Sequence, residues 1–397
     1  MNQDATHPAV FSRDPLETPN LFASYRIGDY PHAGLLHPPW EMTGTQAVLV
    51  NAFDLLANHR TRRFTSKIRD TKGGLREYIH FDGPLMLDSG GFNFQKQKEI
   101  SIASLDVFDI GIEFAVDVSV VLDHPFLPTS TPEEMEDRWK STVTNTEEMF
   151  EKLEDSNPPD YFQLMPVLHG YDPETLKRSL DHIIEIWGEE PRIVGIGSLA
   201  PLALNGSKRT VINVISTVRQ LLPNAHIHCF SLGSALLMLF AFYCGADTVD
   251  SQSWIISAAF KNVQLPGFPW TRFSSREKEK DPAKYQQKCN AFADRLLELI
   301  EEEEFAVKDW DNRKDWEVNN KEEALSYLDY LEHRDGERHI HRRACHNLYA
   351  FNFEAKRVRE EKKKGVSALE TFIQGRMKSP VYQKIFEYAI EKVNSKS

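Results

Sequence analysis

The chain reads as an α/β protein built on a parallel sheet, either closed into a barrel or open and doubly wound. Three observations predict this. Short apolar runs recur between residues 47 and 252 and alternate with stretches long enough for helices. Several of the runs are apolar at consecutive positions, as expected of strands covered on both faces. Three of them end in aspartate, at Asp88, Asp123 and Asp250, and strand ends are where such sheets carry their chemistry.

Residues 1–45 are proline-punctuated and lack periodicity, which predicts extended or hairpin segments. The first clear buried strand is 47–53 (AVLVNAF). The basic cluster His59-Arg60-Thr61-Arg62-Arg63 follows, suited to a solvated helix end or a phosphate-contacting loop. Residues 85–88 (LMLD) form the next strand, running into Ser89-Gly90-Gly91-Phe92. Paired glycines let backbone approach a ligand closely, and Phe92 is placed to lie on a flat ring. Further strands are expected at 118–123, 162–169, 192–197, 226–232 and 248–252. Helices are expected at 132–153, with Thr131 as cap, and at 173–187, 210–222 and 234–244. The last is apolar nearly all round and therefore buried. An eighth strand would close a barrel, and residues 24–36 are its expected source. The open sheet is disfavoured by the absence of either standard glycine-rich phosphate loop. From about residue 273 the chain is strongly charged and reads as helices at 281–306, 321–333, 338–363 and 367–393. Three regions result: an extension at 1–45 that supplies a barrel strand, a catalytic core at 46–272, and a helical C-terminal region at 273–397.

The net charge of −12 excludes a generally basic nucleic-acid binder, so any such contact must come from a local basic face. Four widely spaced cysteines make no disulfide framework. The N-terminus shows no basic-then-apolar signal pattern, and the longest apolar stretch, 235–244, is too short for a bilayer. The expectation is a soluble, cytoplasmic protein with no membrane association.

Acids from the ends of different strands converge on one face of a barrel, where they shift one another's pKa values. One can then stay ionised while another keeps a proton. Gly73-Gly74-Leu75, Asp82-Gly83-Pro84-Leu85 and Asp88-Ser89-Gly90-Gly91-Phe92 together resemble the hallmark region of the tRNA-guanine transglycosylases. Other blocks agree in order. Residues 45–55 are similar to that family's strand ending in Asn-Thr-Tyr-His-Leu, with Asn51 in place. Val121-Leu122-Asp123 resembles its Leu-Asp block, and Val167-Leu168-His169-Gly170 stands where it has Val-Gln-Gly-Gly. Gly197-Ser198-Leu199-Ala200 resembles Gly-Gly-Leu-Ala. Leu232-Gly233-Ser234 and Gly245–Ser251 resemble the nucleophile block.

The resemblance implies a TIM barrel with a helical C-terminal appendage. It implies exchange of guanine in a nucleic acid for a 7-deazaguanine base. Asp250 would be the nucleophile at C1′ and Asp88 the general acid and base. Asp123 would read the ring nitrogen and amine of the base, and backbone at Gly197, Ser198 and Leu199 its carbonyl. Phe92 and Phe230 would stack on the ring, with Asn51 and His169 completing the binding set. This sequence departs from the family pattern at His169 and Asn93, each of which replaces a glutamine. It departs again at Ser251-Gln252-Ser253-Trp254, which stands where bacterial members have Pro-Thr-Arg. The last feature resembles the DpdA-like branch, DNA-guanine transglycosylases that insert 7-cyano-7-deazaguanine into DNA. That branch implies DNA as partner, with tRNA the alternative and a non-catalytic nucleic-acid-binding subunit the third reading. It also implies an ATPase-like companion protein. The family's triple-cysteine zinc motif is missing. His346-Asn347-Leu348 resembles the zinc histidine and its neighbours, and Cys289 lies about where the first cysteine should. A structural Zn2+ held by Cys289, His341, Cys345 and His346, with His339 nearby, is the corresponding expectation.

Overall fold

Nine short strands, all parallel, make one sheet: β1 (Asn20–Ser24), β2 (Ala47–Asn51), β3 (Leu85–Asp88), β4 (Val118–Val120), β5 (Gln163–Met165), β6 (Val167–Leu168), β7 (Ile193–Ile196), β8 (His226–Cys229) and β9 (Thr248–Ser251). The computed structural model describes residues 10–28, 34–94, 101–204, 207–333 and 338–395. The strand order is β5-β4-β3-β2-β1-β9-β8-β7-β6. Its two ends are consecutive pieces of one extended segment, parted at Pro166, which has no N–H to give the ladder. The Met165 carbonyl accepts from Val121 N–H at 3.0 Å, and the Pro166 carbonyl accepts from Gly195 N–H at 2.9 Å. The segment therefore joins β4 on one side to β7 on the other, and the sheet curls into a nearly closed barrel.

All seven expected strands are present: Leu85–Asp88 keeps its expected bounds, the run at 162–169 is divided into β5 and β6, and the others are shorter than the apolar runs that announce them. The strand expected in 24–36 is instead Asn20–Ser24. It pairs with β2 and β9, with Phe22 opposite both Ala47 and Asp250. Its local pattern is weak, because only Leu21, Phe22 and Ala23 of it are apolar and Pro19 directly precedes it. Residues 29–33 of the expected range lie outside the described residues.

One compact unit comprises the chain up to Ile27, Gln46–Ser251, and the residues from Lys384. Its lumen is packed with Phe22, Leu49, Met86, Val120, Met165 and Val167, and Phe11 sits against Phe22 with ring centroids 5.6 Å apart. On β2, β3, β8 and β9, Leu49 precedes Asn51, Met86 precedes Asp88, His228 precedes Phe230, and Thr248 precedes Asp250. That two-residue step keeps all of these side chains on the lumen face. The helix at Pro132–Ser156 starts as expected, Thr131 and Glu134 forming a reciprocal capping box. The apolar helix Ala235–Tyr243 is buried, and Phe386 packs on its Tyr243 at 5.1 Å.

The second unit comprises Gly28–Thr45 and Gln252–Gln383. Helices Pro282–Glu303, Lys321–Glu332, Arg338–Lys364 and Val366–Arg376 surround a core containing Phe292, Phe305, Trp310 and Tyr327. The helix expected over 367–393 is two, Val366–Arg376 and Pro380–Asn394, because Pro380 cannot continue a helix from the preceding turn. The composition changes near residue 273, whereas this unit takes up the chain from Gln252. No helix among the described residues is long and apolar enough to cross a membrane. Cys229, Cys244, Cys289 and Cys345 are all buried free thiols.

Candidate active site

The ends of β2 and β3 are bound together by one side chain. Asn51 and Asp88 are register partners. Asn51 Nδ2 donates to Asp88 Oδ2 at 2.8 Å, while its Oδ1 accepts from Phe53 N–H and caps the helix Ala52–Leu56. The chain then turns through Gly90 at φ 90°, where a Cβ would strike Asn51 Oδ1 and the Phe53 Cβ. Only glycine holds that turn against β2. The short turn Gly91–Phe94 follows and carries Phe92 at the rim, 52% exposed.

Asp123 lies just past β4 and is buried. Ser89 Oγ donates to its Oδ1 at 3.1 Å, and His169 Nε2 lies 3.0 Å from its Oδ2. His169 Nδ1 meets Ser198 Oγ at 2.9 Å, and Ser198 Oγ accepts from Phe126 N–H at 3.1 Å. Asp250 stands near the end of β9, with Ser231 N–H donating to its Oδ1 at 2.6 Å and His228 Nε2 at 3.5 Å. Ser198 and Ser231 both hold positive φ, 60° and 58°. Non-glycine residues in that region carry strain that packing must offset, and such strain collects at functional sites.

Asp88, Asp123 and Asp250 line one cavity with Phe92, Gly197, Ser198, Leu199 and Phe230. Burial pushes the Asp88 carboxyl well above the ordinary carboxylate range, and the charges of Asp123 and Asp250 push it the same way. N–H groups of Gly90 and Ser89 offset part of this. One acid is thus biased to keep its proton beside two others, the division of labour that acid–base chemistry requires.

Eight of the ten residues expected to act on substrate share this cavity. Asn51 and His169 do not line it. His169 is fully buried and meets the cavity only through Asp123, 3.0 Å away. Three lining residues escaped the sequence reading: Pro125, Ala200 and Ser231. His228 escaped it too, although alternation along HIHCF places His226, His228 and Phe230 on one face. The basic cluster sits on the helix Arg63–Asp70 and the turn before it. Arg60, Arg62, Arg63 and Lys67 are exposed and have no acidic partner among the described residues, unlike Arg69, which pairs with Glu113 at 2.6 Å.

Of the expected zinc ligands, His341 and Cys345 meet, with Cys345 Sγ 3.7 Å from His341 Nδ1, and the four do not form one cluster among the described residues. His346 Nε2 donates to the Gln264 carbonyl at 2.8 Å, so its Nδ1 must accept, and it does so from Tyr327 O–H at 3.0 Å. Trp310 Nε1–H donates in turn to Tyr327 at 2.9 Å. His341 accepts from Leu36 N–H and donates to the Trp310 carbonyl. Neither ring has a lone pair left for a metal. Burial pushes the Cys345 thiol well up, against the thiolate a metal needs. Cys289 faces Tyr285 instead. The side chain of His339 lies outside the described residues. Among the described residues no group of three or more His, Cys, Asp or Glu is arranged to hold a metal.

Comparison with known proteins places the chain in a family. The family profile described as queuine tRNA-ribosyltransferase matches residues 9–304. The tRNA-guanine(15) transglycosylase of Thermoplasma acidophilum is 27% identical over 221 residues, covering 55% of this chain and 32% of that protein. Those of Methanothermobacter thermautotrophicus and Methanosarcina mazei are 26% and 22% identical, each over 54% of this chain and over 31% and 42% of their own lengths. The chain thus spans between about a third and two fifths of the length of these relatives. With the profile matching three quarters of its residues, it belongs to the queuine tRNA-ribosyltransferase (TGT) family.

Proposed function

We propose that the chain is a guanine transglycosylase that exchanges guanine in a nucleic acid for a 7-deazaguanine base through a covalent aspartyl intermediate. One observation carries this reading: three acids meet in one cavity beside two aromatic rings, and they are not equivalent. Asp88 is biased to hold a proton, whereas Asp250 has Oδ1 engaged and no partner for Oδ2 among the described residues. In the first half-reaction Asp250 Oδ2 attacks C1′. The glycosidic bond breaks, its electron pair leaves with the guanine, and Asp88 supplies the proton. In the second half-reaction Asp88 takes the proton of the incoming base, whose ring nitrogen attacks C1′ and releases Asp250. No oxidant, nucleotide or metal enters the balance. Asp123 accepts hydrogen bonds from the guanine edge, and Phe92 and Phe230 cover its faces.

Within this reading the substrate is DNA and the incoming base 7-cyano-7-deazaguanine, supported by Ser251-Gln252-Ser253-Trp254 after the nucleophile. A target base in a duplex must be flipped out, at a cost of about a few kcal/mol, which gives an ATPase-like companion a purpose. The exposed cations Arg60, Arg62, Arg63 and Lys67 are the surface offered to phosphates in an otherwise acidic chain. The second reading is tRNA, favoured by the names of the archaeal relatives.

The test is exchange of radiolabelled guanine into DNA and into tRNA, with and without companion proteins. Label in DNA alone supports the first reading, and label in tRNA alone selects the second. If the folded protein gives no label and no covalent adduct at Asp250, the transglycosylase reading falls.

A further inference from the structure

Two histidines outside the exchange chemistry stand directly behind two of the acids. His228 is fully buried, and its Nε2, without a hydrogen-bond partner, lies 3.5 Å from Asp250 Oδ1. His169 is equally buried, with Nε2 3.0 Å from Asp123 Oδ2. In both cases the other ring nitrogen meets a hydroxyl. His169 Nδ1 faces Ser198 Oγ at 2.9 Å, and His228 Nδ1 faces Thr248 Oγ1 at 3.0 Å.

The proton positions follow from the donors. Ser198 Oγ accepts from Phe126 N–H and keeps a proton and a second lone pair for His169 Nδ1. An Nδ1–H ring would set the Nε2 lone pair 3.0 Å from the Asp123 carboxylate, which repels it, so Ser198 O–H donates to Nδ1. The ring then carries its hydrogen on Nε2, facing Asp123. Thr248 Oγ1 also lies 2.9 Å from His226 Nε2. A hydroxyl has one proton and two lone pairs, so it donates to at most one ring, and a His228 that donates from Nδ1 to it is disfavoured for the same reason as at His169. Donation to His226 would leave the Nε2 lone pair of a neutral His228 against a carboxylate, which repels it. The remaining order is His226 Nε2–H to Thr248, Thr248 O–H to His228 Nδ1, and His228 Nε2–H toward Asp250.

We propose that His228 and His169 are a matched pair of positioning residues, each locked by a hydroxyl in the Nε2–H tautomer, the first holding Asp250 for attack and the second holding Asp123 for recognition of the base. Ser231 N–H and His228 both address Oδ1 of Asp250, which leaves Oδ2 as the attacking oxygen. Asp88 has an amide behind it instead, that of Asn51. The two roles rest on the transglycosylase reading, but the two tautomers do not.

The first experiment is therefore nitrogen NMR of the full chain carrying labelled histidine. Hydrogen on Nε2 and none on Nδ1 is expected at both positions, and an Nδ1–H signal at either overturns the proposal for that residue whatever the protein's activity. The second experiment is a kinetic split. His228→Phe keeps a ring but no donor and should slow adduct formation about ten- to a hundredfold, the range for loss of an orienting partner, with KM for the base unchanged. His228→Gln, whose amide reaches the Nε2 position, should restore most of that rate. His169→Phe should raise KM for the base by a similar factor and leave the adduct rate on a saturating nucleic acid within about threefold. Should a phenylalanine variant not fold, Thr248→Val removes only the hydroxyl and should release the His228 tautomer. An unchanged NMR signal there, or a wild-type adduct rate in His228→Phe, overturns the role of His228. A loss of adduct rate rather than base affinity in His169→Phe overturns that of His169.

Discussion

Asp88 concentrates the chemistry of a single residue in its raised pKa. A general acid works only while protonated, so guanine release should fall as pH rises through that raised value, and a pH profile of the first half-reaction reads this directly. The same shift bears on stability. The folded state binds the Asp88 proton more tightly than the unfolded chain does, so the residue is neutral to stability well below pH 3.8. It becomes destabilising as pH climbs through the folded value. Asp88→Asn has no charge to bury. It should melt at a higher temperature than the wild type at neutral pH while losing about 10²- to 10⁴-fold in exchange rate, the usual contribution of a positioned acid. Asp250→Asn should instead abolish the covalent adduct outright, seen as loss of the denaturant-stable protein–nucleic acid band.

At the scale of elements, the turn after β3 and the basic helix start are the sensitive places. Gly90→Ala would put a Cβ on Asn51 and Phe53 at a positive φ. It should cost about 1–3 kcal/mol of stability and displace Asn51 from Asp88, measured by denaturant unfolding together with the exchange rate. The basic segment has a different signature. Reversing Arg60, Arg62, Arg63 and Lys67 to glutamate should weaken nucleic-acid binding and flatten its salt dependence, lowering the slope of log K against log salt by about 3–4 if each cation meets one phosphate. The catalytic constant at saturation should be unaffected. This element illustrates how far a sequence goes: the run of cations was plain, but solvated helix ends look the same. The lack of acidic partners became visible only once the neighbours were placed.

For the molecule as a whole, the chain from Trp310 through Tyr327 and His346 to Gln264 occupies the region where zinc was expected. Burial pulls His346 down to about 4. The unfolded chain therefore takes up a proton below about pH 6.5 that the folded chain refuses. The stability His346 contributes is complete above that pH and is lost as pH falls toward 4, by on the order of 2–3 kcal/mol. Acid unfolding followed by tryptophan fluorescence should show this midpoint, and His346→Gln should flatten it. Exhaustive chelation should leave the melting temperature unchanged, and elemental analysis should find no stoichiometric zinc. The resemblance puts a histidine at a motif position, whereas ligation depends on where both ring nitrogens point.

By itself the sequence determined the alternation of strands and helices, the strand-end acids and the block order that marks the family. All of these are local or periodic properties, set by burial of apolar runs and by the φ freedom of glycine. The tertiary structure alone decided what lies behind the acids. His169 and His228 read as strand residues among others, and only register and barrel curvature bring one against Asp123 and the other against Asp250. The strand Asn20–Ser24 likewise owes its place to pairing with β2 and β9 rather than to its own pattern. Hydrogen-bond direction, and with it the tautomer of each buried ring, is a property of contacts between residues far apart in the chain, and no local pattern encodes it.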